Sequence, residues 1–93
     1  MKILKRVKFN EELKEILCFI AKDSKKRAKE FKNELIVKIK DLEFMPFKFR
    51  QSIYFEDESI RDLVFKGYTI AYKIYKVEET IVIIGISKYQ ENF

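Results

Sequence analysis

IRDLVFKGYTIAYKIYKVEETIVIIGISKY, residues 60–89, decides how this chain folds. Its middle part alternates strictly. Tyr68, Ile70, Tyr72 and Ile74 fall on one face, and Thr69, Ala71, Lys73 and Tyr75 on the other, the period-2 signature of a strand packed on one side. Gly67 marks a turn before it and Glu78-Glu79 a turn after it. The flanking runs, 60–66 and 80–89, are then the neighbouring strands of a meander. The last is apolar on both faces, so it is expected at the centre of the sheet and covered on both sides. Gly85 within it suggests a bulge or a close backbone approach.

Upstream, apolar residues return at helical spacing. Asn10 is an N-cap type, Glu11 and Glu12 suit the positive end of a helix dipole, and Leu13, Ile16, Leu17, Ile20 and Ala21 form one stripe ending near Lys22–Asp23. Cys18 and Phe19 flank that stripe; Cys18 reads as a half-buried small hydrophobe. Asp23 or Ser24 caps a second helix running to about Leu42, with Ala28, Phe31, Leu35, Ile39 and Leu42 inward and Val37 outward. The short polar link predicts an antiparallel hairpin. Residues 2–9 read as a strand on a sheet edge, because Lys5 interrupts the parity of Ile3, Val7 and Phe9. Residues 43–59 connect helix to sheet. Pro46 stops the helix, and Phe44, Phe47, Phe49, Tyr54 and Phe55 are too many aromatics for a solvated loop. The order is β-α-α-β-β-β, an α+β fold with a helical hairpin on a small, mainly antiparallel sheet. The 93 residues are expected to form a single domain.

Composition limits the chemistry. There is no His and one Cys, which removes the commonest general base, the usual triads, internal disulfides and nearly all zinc sites. No cofactor or metal is expected: dinucleotide, Walker-type and nucleophile-elbow motifs are missing, and Glu56, Asp57 and Glu58 read as a solvated acidic loop. No apolar run reaches the ~18 residues of a membrane span, and Met1–Lys8 leads into no signal-peptide core. A cytoplasmic protein without membrane contact is the expectation. Net charge is +5, from 20 Lys+Arg and 15 Asp+Glu, with a dense spot at Lys2, Lys5, Arg6 and Lys8. Such a surface suits an acidic protein, a phosphate backbone or simple solvation. The groups able to grip phosphate or stabilise developing negative charge are Lys48, Arg50, Arg61, Lys66, Tyr68, Lys73, Lys88 and Tyr89. The same groups are also ordinary on exposed strand faces.

The order of features in residues 7–89 resembles the RelE/ParE toxin family of bacterial type II toxin–antitoxin modules, closer to its ParE-like members. The resemblance is carried by NEELKEILCFIAKDS and its polar turn, AKEFKNELIVKIKDL followed by Pro46, Arg61-Asp62-Leu63, Gly67-Tyr68-Thr69-Ile70-Ala71-Tyr72 (similar to the family's GYRIVY strand), and IVIIGIS. It implies a compact toxin domain over residues 1–93, held inactive by an acidic antitoxin whose C-terminal segment wraps it. Phe19, Phe47, Phe49 and Tyr54 would meet the antitoxin. RelE-like members cleave mRNA on the ribosome; ParE-like members bind DNA gyrase and block replication. This chain has Thr69 where the RelE-like subgroup places an arginine, and Ser87-Lys88-Tyr89-Gln90 where related ribonucleases carry His-Tyr. A RelE-like chemistry would fall to Arg61, Lys88 and Tyr89, and Lys48, Arg50, Lys66 and Lys73 would contact phosphate or target. Gyrase inhibition tolerates the departures better. A module that binds its antitoxin but poisons nothing is the third reading.

Overall fold

The structure is a computed structural model that describes residues 1–88. Its elements are β1 (Lys2–Lys5), α1 (Val7–Asp23), α2 (Lys25–Lys40) with a 3-10 turn at Asp41–Glu43, β2 (Ile60–Phe65), β3 (Tyr68–Tyr75) and β4 (Thr80–Lys88). The sheet runs β1-β4-β3-β2. β1 lies parallel to β4 on one edge, and the meander of β2, β3 and β4 is antiparallel. The expected α+β order, the edge position of β1 and the central position of β4 are all present.

Two expectations are corrected at the N-terminus. The first strand stops at Lys5, and α1 begins at Val7 rather than after Asn10. Phe9 explains the difference. It extends the stripe of Leu13, Ile16, Leu17 and Ile20 backwards by one turn and is 1% exposed. Burying a phenylalanine is worth about 1.5–3 kcal/mol, more than the ~1 kcal/mol of an Asn cap. Arg6 therefore stands at the cap position with no side-chain cap bond.

Ser24 joins the helices as a single residue. Its N–H donates to the Ile20 carbonyl (3.0 Å), closing α1. Its Oγ accepts the Arg27 N–H (3.1 Å), opening α2. Both helices cover one face of the sheet. Phe31, Leu35, Ile39 and Leu42 pack there on Leu63, Phe65, Ile70, Tyr72, Ile74, Ile81, Ile83 and Ile86. Phe31 meets Phe65 and Tyr68 edge-on at 5.1 and 5.5 Å. Val37 points outward, as its spacing predicts. Cys18 is exposed instead of half-buried, because it lies on the solvent side of the α1–α2 seam.

The β2–β3 turn has positive φ at Lys66 (48°) and Gly67 (83°), the two-residue geometry whose twist matches a hairpin. The bulge expected near Gly85 is present. Ala71 pairs with Gly85 but Tyr72 pairs with Ile83, leaving Ile84 as the extra residue. The bulge shifts parity, so Ile86 joins Ile81 and Ile83 under the helices while Ile84 turns to the other face. There Ile84 meets Ala71, Ile60 and Phe55 from the connection. No helix among the described residues is long and apolar enough to cross a membrane.

Candidate functional site

The connection 43–59 is tied to the sheet at several points, and these ties decide which polar groups stay available. Tyr72 is fully buried, and its hydroxyl donates to the Pro46 carbonyl at 2.8 Å. Burial raises its pKa to about 12, so the hydroxyl is a constant donor. Arg61 lies opposite Tyr72 on β2, on the helix-covered face. Its Nη1 donates to the Phe49 carbonyl at 3.1 Å, and its guanidinium sits 5.1 Å from the Phe47 ring centre. Lys76 Nζ lies 5.0 Å from the same ring. Phe47, Arg61 and Lys76 line a small cleft with Glu58, Ser59 and Ile74.

Lys76 was not among the sequence candidates, although its parity with Tyr72 and Ile74 places it on this face.

The next residues of the connection meet β2 at a single antiparallel bridge. Ser52 N–H donates to the Ile60 carbonyl (2.7 Å), Asp62 N–H donates to the Arg50 carbonyl (3.2 Å), and Gln51 bridges Arg61. Asp62 is 1% exposed. Its Oδ2 accepts the Ile53 N–H at 3.2 Å and faces Arg50 Nη2 at 3.7 Å. Arg50 thus neutralises a buried carboxylate that would otherwise cost several kcal/mol, about what an unpaired buried ion costs in a protein. Lys48 lies over the Phe49 ring at 5.6 Å and lines an open cleft with Arg50 and Asp62.

The other candidate cations are elsewhere. Lys66 pairs with Glu34 and sits 5.5 Å from the Phe65 ring. Lys73 is on the opposite face of the sheet from Arg61, by strand alternation. It pairs with Asp57 at 3.1 Å and lies 5.1 Å from the Tyr75 ring. Asp57 accepts from Ser59 Oγ (2.6 Å) and Ser59 N–H (2.9 Å). These bonds, with Lys73, hold its carboxyl at about 2. Lys48 and Arg50 share one cleft, but Lys66 and Lys73 lie on separate parts of the surface.

Lys88 ends β4. It lines a cleft with Phe19, Tyr68, Ile16 and Ile86. Arg61 pairs with Tyr72, and Lys88 with Tyr68. Four residues along β3 and two strand spacings across put their backbones about 16 Å apart, at about 3.3 Å per residue and about 4.8 Å per strand. Tyr89 lies outside the described residues. Among the described residues no group of three or more His, Cys, Asp or Glu side chains comes together to hold a metal.

The apolar candidates differ in availability. Phe49 packs against the core and Tyr54 is half-buried in the connection, where its N–H donates to Ser52 Oγ (3.1 Å). Phe19 is 62% exposed, and Phe44, Met45 and Phe47 form an exposed run at 82%, 53% and 41%.

A chain of the RelBE2 toxin–antitoxin complex from Mycobacterium tuberculosis superposes with a TM-score of 0.54 over 97% of this chain and 92% of that one. At 10% identity this is a likeness of fold. No curated protein matches in sequence. The family described as the ParE toxin of the type II toxin–antitoxin system parDE matches residues 3–93. With that match over nearly its whole length, the chain belongs to the ParE toxin family of type II toxin–antitoxin systems.

Proposed function

We propose that this toxin acts by binding: it engages DNA gyrase and inhibits it, and an acidic antitoxin neutralises it. The observation that carries this reading is the state of Arg61. Its guanidinium is bonded to the Phe49 carbonyl and lies beside the Phe47 ring, and its backbone is about 16 Å from that of Lys88 by strand spacing. Cleavage of RNA through its 2′-hydroxyl needs a base, an acid and a charge stabiliser around one phosphate. An inhibitor needs only a complementary surface, and Phe47 beside Arg61 and Lys76, with Phe44 and Met45 exposed just before it in the chain, supplies apolar area and positive charge together. The antitoxin partner is supported by the family and by the resemblance to a chain solved within a toxin–antitoxin complex.

A supercoiling assay with purified gyrase tests the target. Inhibition that deepens as toxin is added is the expected result; full supercoiling at a large molar excess of toxin rejects it. Primer extension on translated mRNA after induction tests the ribonuclease alternative. New 5′ ends that vanish in an Arg61→Ala variant, with supercoiling unaffected, would replace the binding mechanism by a catalytic one.

A further inference from the structure

The positive charge of this chain is concentrated at one end of the sequence. Residues 1–32 hold eleven Lys and Arg and five Asp and Glu; residues 33–93 hold nine and ten. The whole excess therefore lies in β1, α1 and the first half of α2. On α2, Lys25, Lys29 and Lys32 follow at steps of four and three, so they form one stripe, and all three are exposed. Lys29 and Lys32 line the seam between the helices together with Lys14 of α1 and Lys5, over a floor that includes Leu17 and Ala28. Among the described residues no Asp or Glu lines that seam; Glu11 and Glu15 line a different cleft, with Phe19. Lys5, Lys14, Lys25, Lys29 and Lys32 enter no ion pair among the described residues.

The start of α2 also departs from a local electrostatic rule. A helix N-terminus carries partial positive charge and favours acids in its first turn. The first turn of α2 has none and begins Lys25-Lys26-Arg27. A conflict of this kind is expected where a surface serves a partner, and a partner that brings anions removes it. From Lys25 to Lys32 the helix rises about 10 Å, the axial rise of about three phosphates along one strand of DNA. Lysine offers a point charge on a flexible stem, without the planar fork of arginine. The aromatic ring in the seam, Phe9, is buried. With no exposed ring to stack on, the seam suits a paired duplex and not unpaired bases.

We infer that the α1–α2 seam is a contact surface for the phosphate backbone of duplex DNA, with Lys14 on one side and Lys25, Lys29 and Lys32 on the other. The duplex is the one that gyrase holds, so its source rests on the gyrase reading proposed above; the contact itself rests on the seam. Lysines that reach phosphate alone carry no sequence information, so the binding is independent of sequence. The toxin then meets the enzyme through the aromatic connection and the DNA through its helical hairpin.

Fluorescence anisotropy of a labelled duplex of mixed sequence, titrated with the full chain across a salt series, tests the surface. With about four phosphates neutralised, the logarithm of the binding constant should fall against that of salt with a slope of about −3.6, roughly a hundredfold weakening between about 50 and about 200 mM. Lys29→Gln should reduce the steepness by about 0.9. Lys38→Gln removes the same charge from an exposed position two residues past Ile36, about 200° round α2 from the stripe, and should leave the slope unchanged. Equal changes in the two variants would trace binding to net charge and overturn the assignment. So would an absence of binding at low salt. Tighter binding of double-stranded RNA of the same length would give the seam to RNA, and displacement of the duplex by polyglutamate of equal charge would give it to an acidic protein; either overturns the choice of DNA. Gyrase inhibited by a toxin that fails to hold the naked duplex overturns this surface and leaves the target reading standing. Duplex binding with the expected slopes but uninhibited gyrase supports the surface and removes gyrase as the source of the duplex.

Discussion

Arg61→Ala should destabilise this protein by about 2 kcal/mol, through loss of the tie between β2 and the connection. The guanidinium makes one bond to a main-chain carbonyl, Arg61 Nη1 to Phe49 at 3.1 Å. Charged hydrogen bonds are worth about 1.5–3 kcal/mol, and the incomplete burial of Arg61 puts this one at the lower end, about 1.5 kcal/mol. The Phe47 contact at 5.1 Å adds about 0.5 kcal/mol for a partly exposed cation–π pair. For a chain of this length the sum lowers the midpoint of thermal unfolding by about 8–16 °C, at about 4–8 °C per kcal/mol. Urea unfolding followed by circular dichroism measures the loss directly. Arg61→Ala and Tyr72→Phe loosen the same stretch, since Tyr72 bonds Pro46 three residues before Phe49. The double variant should therefore lose less than the sum of the singles, by about 0.5 kcal/mol or more. An Arg61→Ala protein within about 0.5 kcal/mol of the parent, the range of ordinary surface changes, would refute the tie. Arg61 would then be an uncommitted cation.

The Asp57 carboxyl is held at about 2, below its ordinary 3.8, first by Ser59 and then by Lys73. A depressed carboxyl contributes stability that is present above the unfolded value and fades as pH falls from about 4 to about 2. An acid titration of unfolding should lose part of its slope in that window in Asp57→Asn, and equal slopes in parent and variant would contradict the pairing. Tyr72, raised to about 12 by burial, gives the opposite sign: its contribution is present below pH 10 and fades as pH rises from about 10 to about 12. Ultraviolet absorbance of phenolate should show one of the five tyrosines ionising late, an excess that Tyr72→Phe removes. At Gly67, φ is 83° and a Cβ would meet nothing within 4 Å. Gly67→Ala should cost about 1–2 kcal/mol from backbone strain alone, read from denaturant midpoints; a neutral substitution would show that the turn relaxes.

The meander was legible because its signal is local. Alternation from Tyr68 to Tyr75 and the glycines at 67 and 85 describe strand, turn and bulge within a few residues of themselves. The helices were legible for the same reason, through stripes at positions such as Phe31, Leu35 and Ile39. The start of α1 was misplaced because two local rules compete there. Alternation through Phe9 favours a strand with Asn10 as the cap, whereas the core already built by β3 and β4 rewards a helix that brings Phe9 inward. Cys18 went wrong in the same way: a position beside a stripe is half-buried or exposed depending on how closely the second helix approaches.

The candidate site was less legible because each of its groups is defined by a partner far away in sequence. Arg61 reaches back to Phe49, Tyr72 to Pro46, and Ile86 to Glu12, 74 residues earlier. Residue type alone places Arg61, Lys73 and Lys88 in one list of cations. Register separates them: Arg61 and Lys73 occupy opposite faces, and Lys88 stands at the far end of the sheet. The bulge at Ile84 sharpens the point, since one inserted residue decides that Ile86, and not Gly85, offers its amide to Glu12. A basic residue here acquires its role from what the fold stacks against it. Arg61 is drawn into holding the aromatic connection in place, Arg50 into neutralising Asp62, and Lys66 and Lys73 into ion pairs. With these four cations committed to the protein's own architecture, the apolar side chains left in solvent, Phe19 and the Phe44–Phe47 run above all, are surface that no internal pairing accounts for among the described residues.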